Sequence, residues 1–177
     1  RTYTSGDLQK TIEGGNNIIW IYGNVVIRIS KDALSEDMTK RTLRNWTIAS
    51  ENNICPPMLW NGTVSDENGL HLCIVMPKWG IDMHDYVIQK MDENSWKEIR
   101  EVVKRVIQKV WLLTTQLFMI CADIKPANIV VYEHSNKLNV RLIDLDGDNC
   151  TLMNRRSYDH KLVYNKRKKH AYSAFMV

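Results

Sequence analysis

Residues 120–131 read ICADIKPANIVV, an apolar run interrupted by Asp123, Lys125, Pro126 and Asn128. A buried strand has no use for a carboxylate, an ammonium and an amide so close together, because each loses hydration unless it finds a partner. The run reads instead as a strand entering a loop at Asp123, a turn stiffened by proline, and a second strand leaving after Asn128. Farther on, VRLIDLDG at 140–147 ends another apolar run in Asp144. A loop and a strand end arranged in this way can bring two oxygen ligands for a hard divalent cation, Asn128 and Asp144, beside a third, basic carboxylate, Asp123. That is equipment for phosphoryl transfer.

The flanking chain supplies a frame for this loop. IIWIYGNVVIRIS at 18–30 holds two β-branched runs joined by Gly23-Asn24, which reads as a hairpin, and Leu8 to Ile12 adds a third strand to make an antiparallel meander. Ser35 suits an N-cap and Glu36 and Asp37 a first helical turn, so a helix is expected from there to about Ser50, ended by Asn52-Asn53 and Pro56-Pro57. Strands around 58–64 and 70–76 follow, joined by SDENG, and the pattern breaks at PKWG, a candidate hinge between two lobes. After Ser95, a second potential cap, Ile99, Val102, Val103, Val106, Val110 and Leu113 recur at spacings of three and four, which predicts a long helix with one apolar face. NIVVYE and NVRLID then form a second hairpin.

Composition narrows the class. The 177 residues, 44% hydrophobic, suffice for one core or for two small lobes sharing an interface. A net charge of +4, spread except for NKRKKH at 165–170, gives no specific nucleic-acid footprint. Within that run, Lys166 to Lys169 reads either as a nuclear import signal or as a solvated tail. No apolar stretch approaches the roughly 20 residues that cross a bilayer, so no membrane partner is expected. Cys55, Cys73, Cys121 and Cys150 lie far apart with no metal-binding spacing, and are expected as reduced, mostly buried thiols. The sequons at Asn45, Asn61 and Asn149 are what an Asn- and Thr-rich chain supplies by chance. These readings place the chain inside the cell, in cytoplasm or nucleus. Its start at Arg1 reads as a trimmed or processed end.

Taken in order, these stretches resemble the eukaryotic-type protein kinases. CADIKPANIVV is similar to their catalytic loop, which implies Asp123 as the base, Lys125 as the lysine that contacts the transferred phosphate, and Asn128 as a magnesium ligand. A lysine two residues after the base implies Ser/Thr acceptors. VRLIDLDG resembles the strand entering the D-F-G motif, with Asp144 as the metal-binding aspartate, Leu145 and Asp146 in place of Phe and Gly, and Asp146 as the alternative register. VVIRIS is similar to the V-A-I-K strand and puts Arg28 where that family has its phosphate-anchoring lysine. LCIVMPKWGIDMHDYV resembles the strand, hinge and following helix, with Met76 as gatekeeper and backbone groups of Pro77 and Trp79 facing the adenine.

The resemblance implies an α+β, bilobal protein-kinase-like fold: a small antiparallel-sheet N-lobe over 1–77, and over 78–177 the hinge and a reduced, mainly helical C-lobe with the catalytic loop and a short C-terminal segment. It implies ATP and Mg2+ as cofactors, and a protein substrate or a regulatory protein as partner. The departures are specific. IEGGNN stands at the glycine-rich loop, leaving Gly14 and Gly15 as phosphate-cradling candidates. Arg28 is a planar fork rather than a point charge. Arg44 and Thr47 occupy the helix positions where a glutamate partner is expected, so that ion pair is absent or rewired through Glu36. About 30 residues follow the metal motif, with no A-P-E signature, as in a minimal kinase of a virus or pathogen or in a fragment. Two other readings compete: a catalytically inactive kinase-like binding or decoy module, and a small-molecule kinase of the aminoglycoside or choline type, whose sequences share an "IDxD" pattern.

Overall fold

The computed structural model describes residues 8–135 and 137–153. Strands β1 (Leu8–Glu13), β2 (Asn17–Tyr22) and β3 (Val25–Ser30) form the expected antiparallel meander, with Gly23 and Asn24 turning β2 into β3. Alternation fixes the faces of β3: Arg28 and Ser30 are buried, whereas Ile27 and Ile29 are only partly covered. The helix α1 (Glu36–Glu51) begins where Ser35 predicts it, the Ser35 hydroxyl accepting the Met38 N–H at 3.2 Å. Its buried stripe is Thr42, Asn45, Trp46 and Ala49, at helical spacing.

Strands β4 (Trp60–Asp66) and β5 (Gly69–Pro77) complete a five-stranded antiparallel sheet in the order β1-β2-β3-β5-β4. The Asp66 carboxylate closes their turn, accepting from the Asn68 N–H at 2.7 Å and the Gly69 N–H at 3.1 Å. Insertion of β5 beside β3 sets Ile74 opposite Arg28 and Met76 opposite Val26. The chain leaves the sheet at Pro77. At Gly80 the backbone has φ +52°, and a Cβ there would lie 1.7 Å from the Val131 carbonyl oxygen, so the crossing requires glycine.

Beyond this crossing come β6 (Ile81–Asp82), α2 (Met83–Asp92) and α3 (Trp96–Thr115). The Asp82 carboxylate caps α2 through the Asp85 N–H at 2.9 Å. Ser95 occupies the N-cap position of α3, but its side chain makes no cap bond; its carbonyl accepts from the Glu98 N–H at 3.0 Å. Val102, Val106 and Leu113 are the buried face, as the periodicity predicts. Then follow β7 (Met119–Cys121), a 3-10 turn at Pro126–Asn128, β8 (Ile129–His134), β9 (Lys137–Leu142) and β10 (Cys150–Leu152). Among the described residues this second part therefore carries two small sheets, β6-β8-β9 and β7-β10, beside its helices. One apolar core joins both parts, from Trp46, Ile74 and Met76 to Val102, Leu113 and Leu142.

One expectation is overturned. Cys55 and Cys73 are buried free thiols, burial pushing Cys55 up to about 12, but Cys121 and Cys150 form a disulfide. They are 29 residues apart in sequence and directly opposite in the β7–β10 pair. The Ala122 N–H bonds the Asn149 carbonyl and the Met153 N–H the Phe118 carbonyl, which makes Cys121/Cys150 a non-hydrogen-bonded pair, the register in which Cα atoms approach most closely. No helix among the described residues is long and apolar enough to cross a membrane. The basic run Lys166 to Lys169 lies outside the described residues.

Candidate functional site

The loop between β7 and β8 is built around the Asn128 side chain. Its amide nitrogen donates to the Asp123 backbone carbonyl at 3.0 Å, to Asp123 Oδ2 at 2.9 Å and toward Asp144 Oδ2 at 3.4 Å. With that nitrogen committed to the carboxylates, Oδ1 is the atom Asn128 has left to offer a cation. Pro126 starts the 3-10 turn, and the Asn128 N–H bonds the Lys125 carbonyl at 2.9 Å. The Lys125 ammonium reaches back to Asp123 Oδ2 at 2.7 Å. The Ile143 N–H bonds the Asn128 carbonyl at 2.9 Å, which ties the end of β9 to the same loop. Asp123, Lys125, Asn128 and Asp144 are thus brought together as the sequence predicts. Asp144 itself has φ +64°, a conformation that aspartate tolerates better than most residues and that aims its carboxylate off the strand.

Arg28 enters from the sheet. Its guanidinium bonds Asp144 Oδ1 at 3.0 Å and Asp146 Oδ2 in a shorter contact, and lies 6.0 Å from the centre of the Trp46 ring. The carboxyl of Asp146 is pushed up to about 6, chiefly because burial disfavours its charge, with Arg28 opposing and Asp144 adding to the rise. Its second oxygen, Oδ1, is buried with no hydrogen-bond partner among the described residues.

The rewiring through Glu36 does not occur. Glu36 pairs with Lys40 on the exposed side of α1, and Arg44 and Thr47 face solvent. The inward face of α1 carries Thr42, Asn45 and Trp46 instead. The Asn45 amide donates to the Leu145 carbonyl at 3.4 Å and the Cys150 carbonyl at 2.9 Å, and the Thr42 hydroxyl accepts the Gly147 N–H at 2.9 Å. A Cβ at position 147 would stand 2.9 Å from both Met38 and Arg41, so glycine is what lets this loop press on α1. Sequence reasoning missed these two contacts, although Thr42, Asn45 and Ala49 share one stripe with Trp46. With Asn45 buried and its amide engaged, its sequon is closed in this fold.

The remaining candidates lie on the sheet and at the crossing that follows it. Met76 is buried on β5, and Pro77 pairs with Val25 at the end of the sheet. The Trp79 ring packs at a tilt on Tyr132, centroids 5.0 Å apart, with the Arg141 guanidinium 5.2 Å from its centre, which pins the crossing to β8 and β9. Gly14 and Gly15 sit in the exposed β1–β2 turn, where the Gly14 N–H bonds the Asn17 carbonyl at 2.9 Å; Asn17 is two residues from Ile19, the partner of Arg28. A groove of about 370 Å³, lined by Asp82, His84, Lys125, Pro126 and Ala127, opens beside the 122–128 loop. The ligand atoms of Asp82, His84 and Asp85 lie within 4.8 Å of one another, a proximity that follows from the capping of α2 by Asp82.

No protein-family model matches the chain, and no curated protein matches it either. A solved structure of the bifunctional kinase-methyltransferase WbdD is similar to it over 89% of this chain, at 15% identity and a TM-score of 0.49, and the chain spans 34% of that protein's length. At that level the likeness reaches neither activity nor ligand.

Proposed function

We propose that the chain is a minimal bilobal kinase that transfers a phosphoryl group from ATP to a Ser or Thr hydroxyl of a protein. The observation that carries this reading is the meeting of Asp123, Asn128 and Asp144 at one amide, with Arg28 arriving from the opposite part of the chain. The lobes are 1–77 and 78–177, joined at Pro77. An all-oxygen set from Asn128 and Asp144 fits a hard divalent cation such as Mg2+. When bound, magnesium supplies positive charge that neutralises the phosphate oxygens.

The chain's own residues do the rest. The Asp123 carboxylate, oriented by the Asn128 amide, accepts the proton of the acceptor hydroxyl, and the groove along Lys125 and Pro126 gives the acceptor its approach. Lys125 moves its charge from Asp123 to the transferred group. Arg28 anchors the α- and β-phosphates, the backbone of Pro77 and Trp79 meets the adenine, Met76 closes the back of the pocket, and the Gly14-Gly15 turn covers the phosphates. Catalysis then rests on positioning and preorganised charge. Dependence on ATP favours cytoplasm or nucleus, whereas the Cys121–Cys150 disulfide is a bond more usual in oxidising compartments.

A second reading, an inactive kinase-like binding or decoy module, is favoured by one observation: the Arg28 guanidinium is already engaged by two carboxylates. A transfer assay with ATP and magnesium separates them. In the kinase reading wild-type chain labels protein hydroxyls and Asp123→Asn lowers turnover roughly 10²–10⁴-fold while nucleotide binding persists. Equal turnover in the two proteins would remove Asp123 as the base.

A further inference from the structure

Guanidinium groups usually grip a carboxylate with two nitrogens at once. Arg28 does something different: a single atom, Nη2, lies between Asp144 Oδ1 and Asp146 Oδ2, so one positive point bridges oxygens from two carboxylates. That is how a metal ion sits between ligands. Its charge is insufficient for the place, since one guanidinium faces two carboxylates in a site where the Arg28 side chain is 5% exposed and that of Asp146 15%. The oxygen inventory is also incomplete. Asp144 Oδ2 receives the Asn128 amide at 3.4 Å, whereas Asp146 Oδ1 is buried and has no partner among the described residues. A buried carboxylate oxygen left without a donor is costly, and a bound cation is one way to satisfy it.

We propose that Asp146 is, together with Asp144, a ligand of a divalent cation, and that in the ligand-free chain Arg28 holds that cation's place. Two charges of opposite sign to the carboxylates compete for the same oxygens. A divalent cation matches their charge and releases the guanidinium; under the kinase reading, on which only this last step rests, the freed Arg28 turns to the nucleotide phosphates. Metal and nucleotide therefore assist each other, because each removes what the other must displace.

The test is a titration with Mn2+ alone, without nucleotide, following free Mn2+ by its paramagnetic resonance signal. Arg28→Gln removes the stand-in and should bind Mn2+ at least about tenfold more tightly than wild type, and adding Asp146→Asn to it should lose at least about tenfold. Unchanged affinity in the first variant, or retained affinity in the second, overturns the proposal. Should Arg28→Gln not fold, Asp146→Asn decides, since it keeps the Arg28–Asp144 pair: Mn2+ must raise the melting temperature of wild type and leave that of Asp146→Asn unmoved. Failure of the two proposals is distinguishable. Magnesium-dependent transfer with Mn2+ binding indifferent to Asp146 would overturn this one and spare the kinase; Mn2+ binding that needs Asp146 in a chain without transfer would do the reverse.

Discussion

Two charged parts of the candidate site handle charge in opposite ways: the 122–128 loop, here the loop wall, and the Arg28 cluster reached from β3, here the sheet wall. On the loop wall, the side chains of Asp123 and Lys125 are 34% and 51% exposed, so their ion pair is held in high dielectric and exchanges readily. On the sheet wall, Arg28 and its two carboxylates are almost enclosed. One ion pair is accessible to water, and the other is held by burial. The first kind can be replaced with little structural damage, and the second cannot.

Arg28→Ala should give the largest structural effect. Removing one partner of a buried ion pair strands the other, which costs about 3–5 kcal/mol, whereas the loop-wall variant Lys125→Ala should cost no more than about 1 kcal/mol. Urea unfolding of the two variants measures both. Similar losses would show that the walls do not differ as described.

The disulfide comes next, because it joins the strand before the 122–128 loop to the strand after the Asp144–Gly147 loop. Cys121 ends the strand that feeds Asp123, and Cys150 begins the strand that follows the Asp144–Gly147 loop. Closing a loop of 29 residues restricts the unfolded chain by about 3–4 kcal/mol in the chain-entropy treatment. Cys150→Ser should lower stability by up to that amount under oxidising conditions and by much less once the wild type has been reduced. A variant as stable as oxidised wild type would mean that the pairing does not support the fold.

The loop wall was legible in sequence because its logic is local. Asp123, Lys125, Pro126 and Asn128 interrupt an apolar run within one turn of chain, and Asp144 ends the next hairpin, so type and spacing already mark these residues as a group. The long strands and α3 were legible by period. The strands β6, β7 and β10 were not, since two or three residues carry no period. The sheet wall was only half legible. Arg28 could be placed on β3, but its partners depend on how a loop 116 and 118 residues farther on packs against α1. Asn45 was visible only as a sequon, and Cys121 and Cys150 only as isolated thiols, because strand register and helix face are tertiary facts.

A smaller device, away from the candidate site, sharpens the contrast between buried and accessible charge. His71 on β5 is buried, with Nδ1 2.9 Å from the Ser30 carbonyl and Nε2 2.9 Å from Asp66 Oδ1. Both partners are acceptors, so only the imidazolium can donate to both; a neutral ring sets a lone pair against an oxygen. The hydrogen bond to Asp66 accordingly raises His71 above its ordinary value, helped by the Ser30 carbonyl and by the charges of Asp66 and Asp32, while Asp66 is lowered chiefly by the same bond. A raised histidine contributes stability that is fully present below its unfolded value of 6.5 and is lost as pH climbs through the higher folded value. A lowered carboxylate contributes above 3.8 and loses that contribution as pH falls through its folded value. The pair therefore ties the end of β3 to the β4–β5 turn most firmly between these two limits. Melting curves from pH 5 to pH 9 should show wild type losing more stability above about pH 6.5 than His71→Gln, which cannot titrate. Parallel curves would mean that the imidazole is neutral in the fold and donates to only one of the two oxygens.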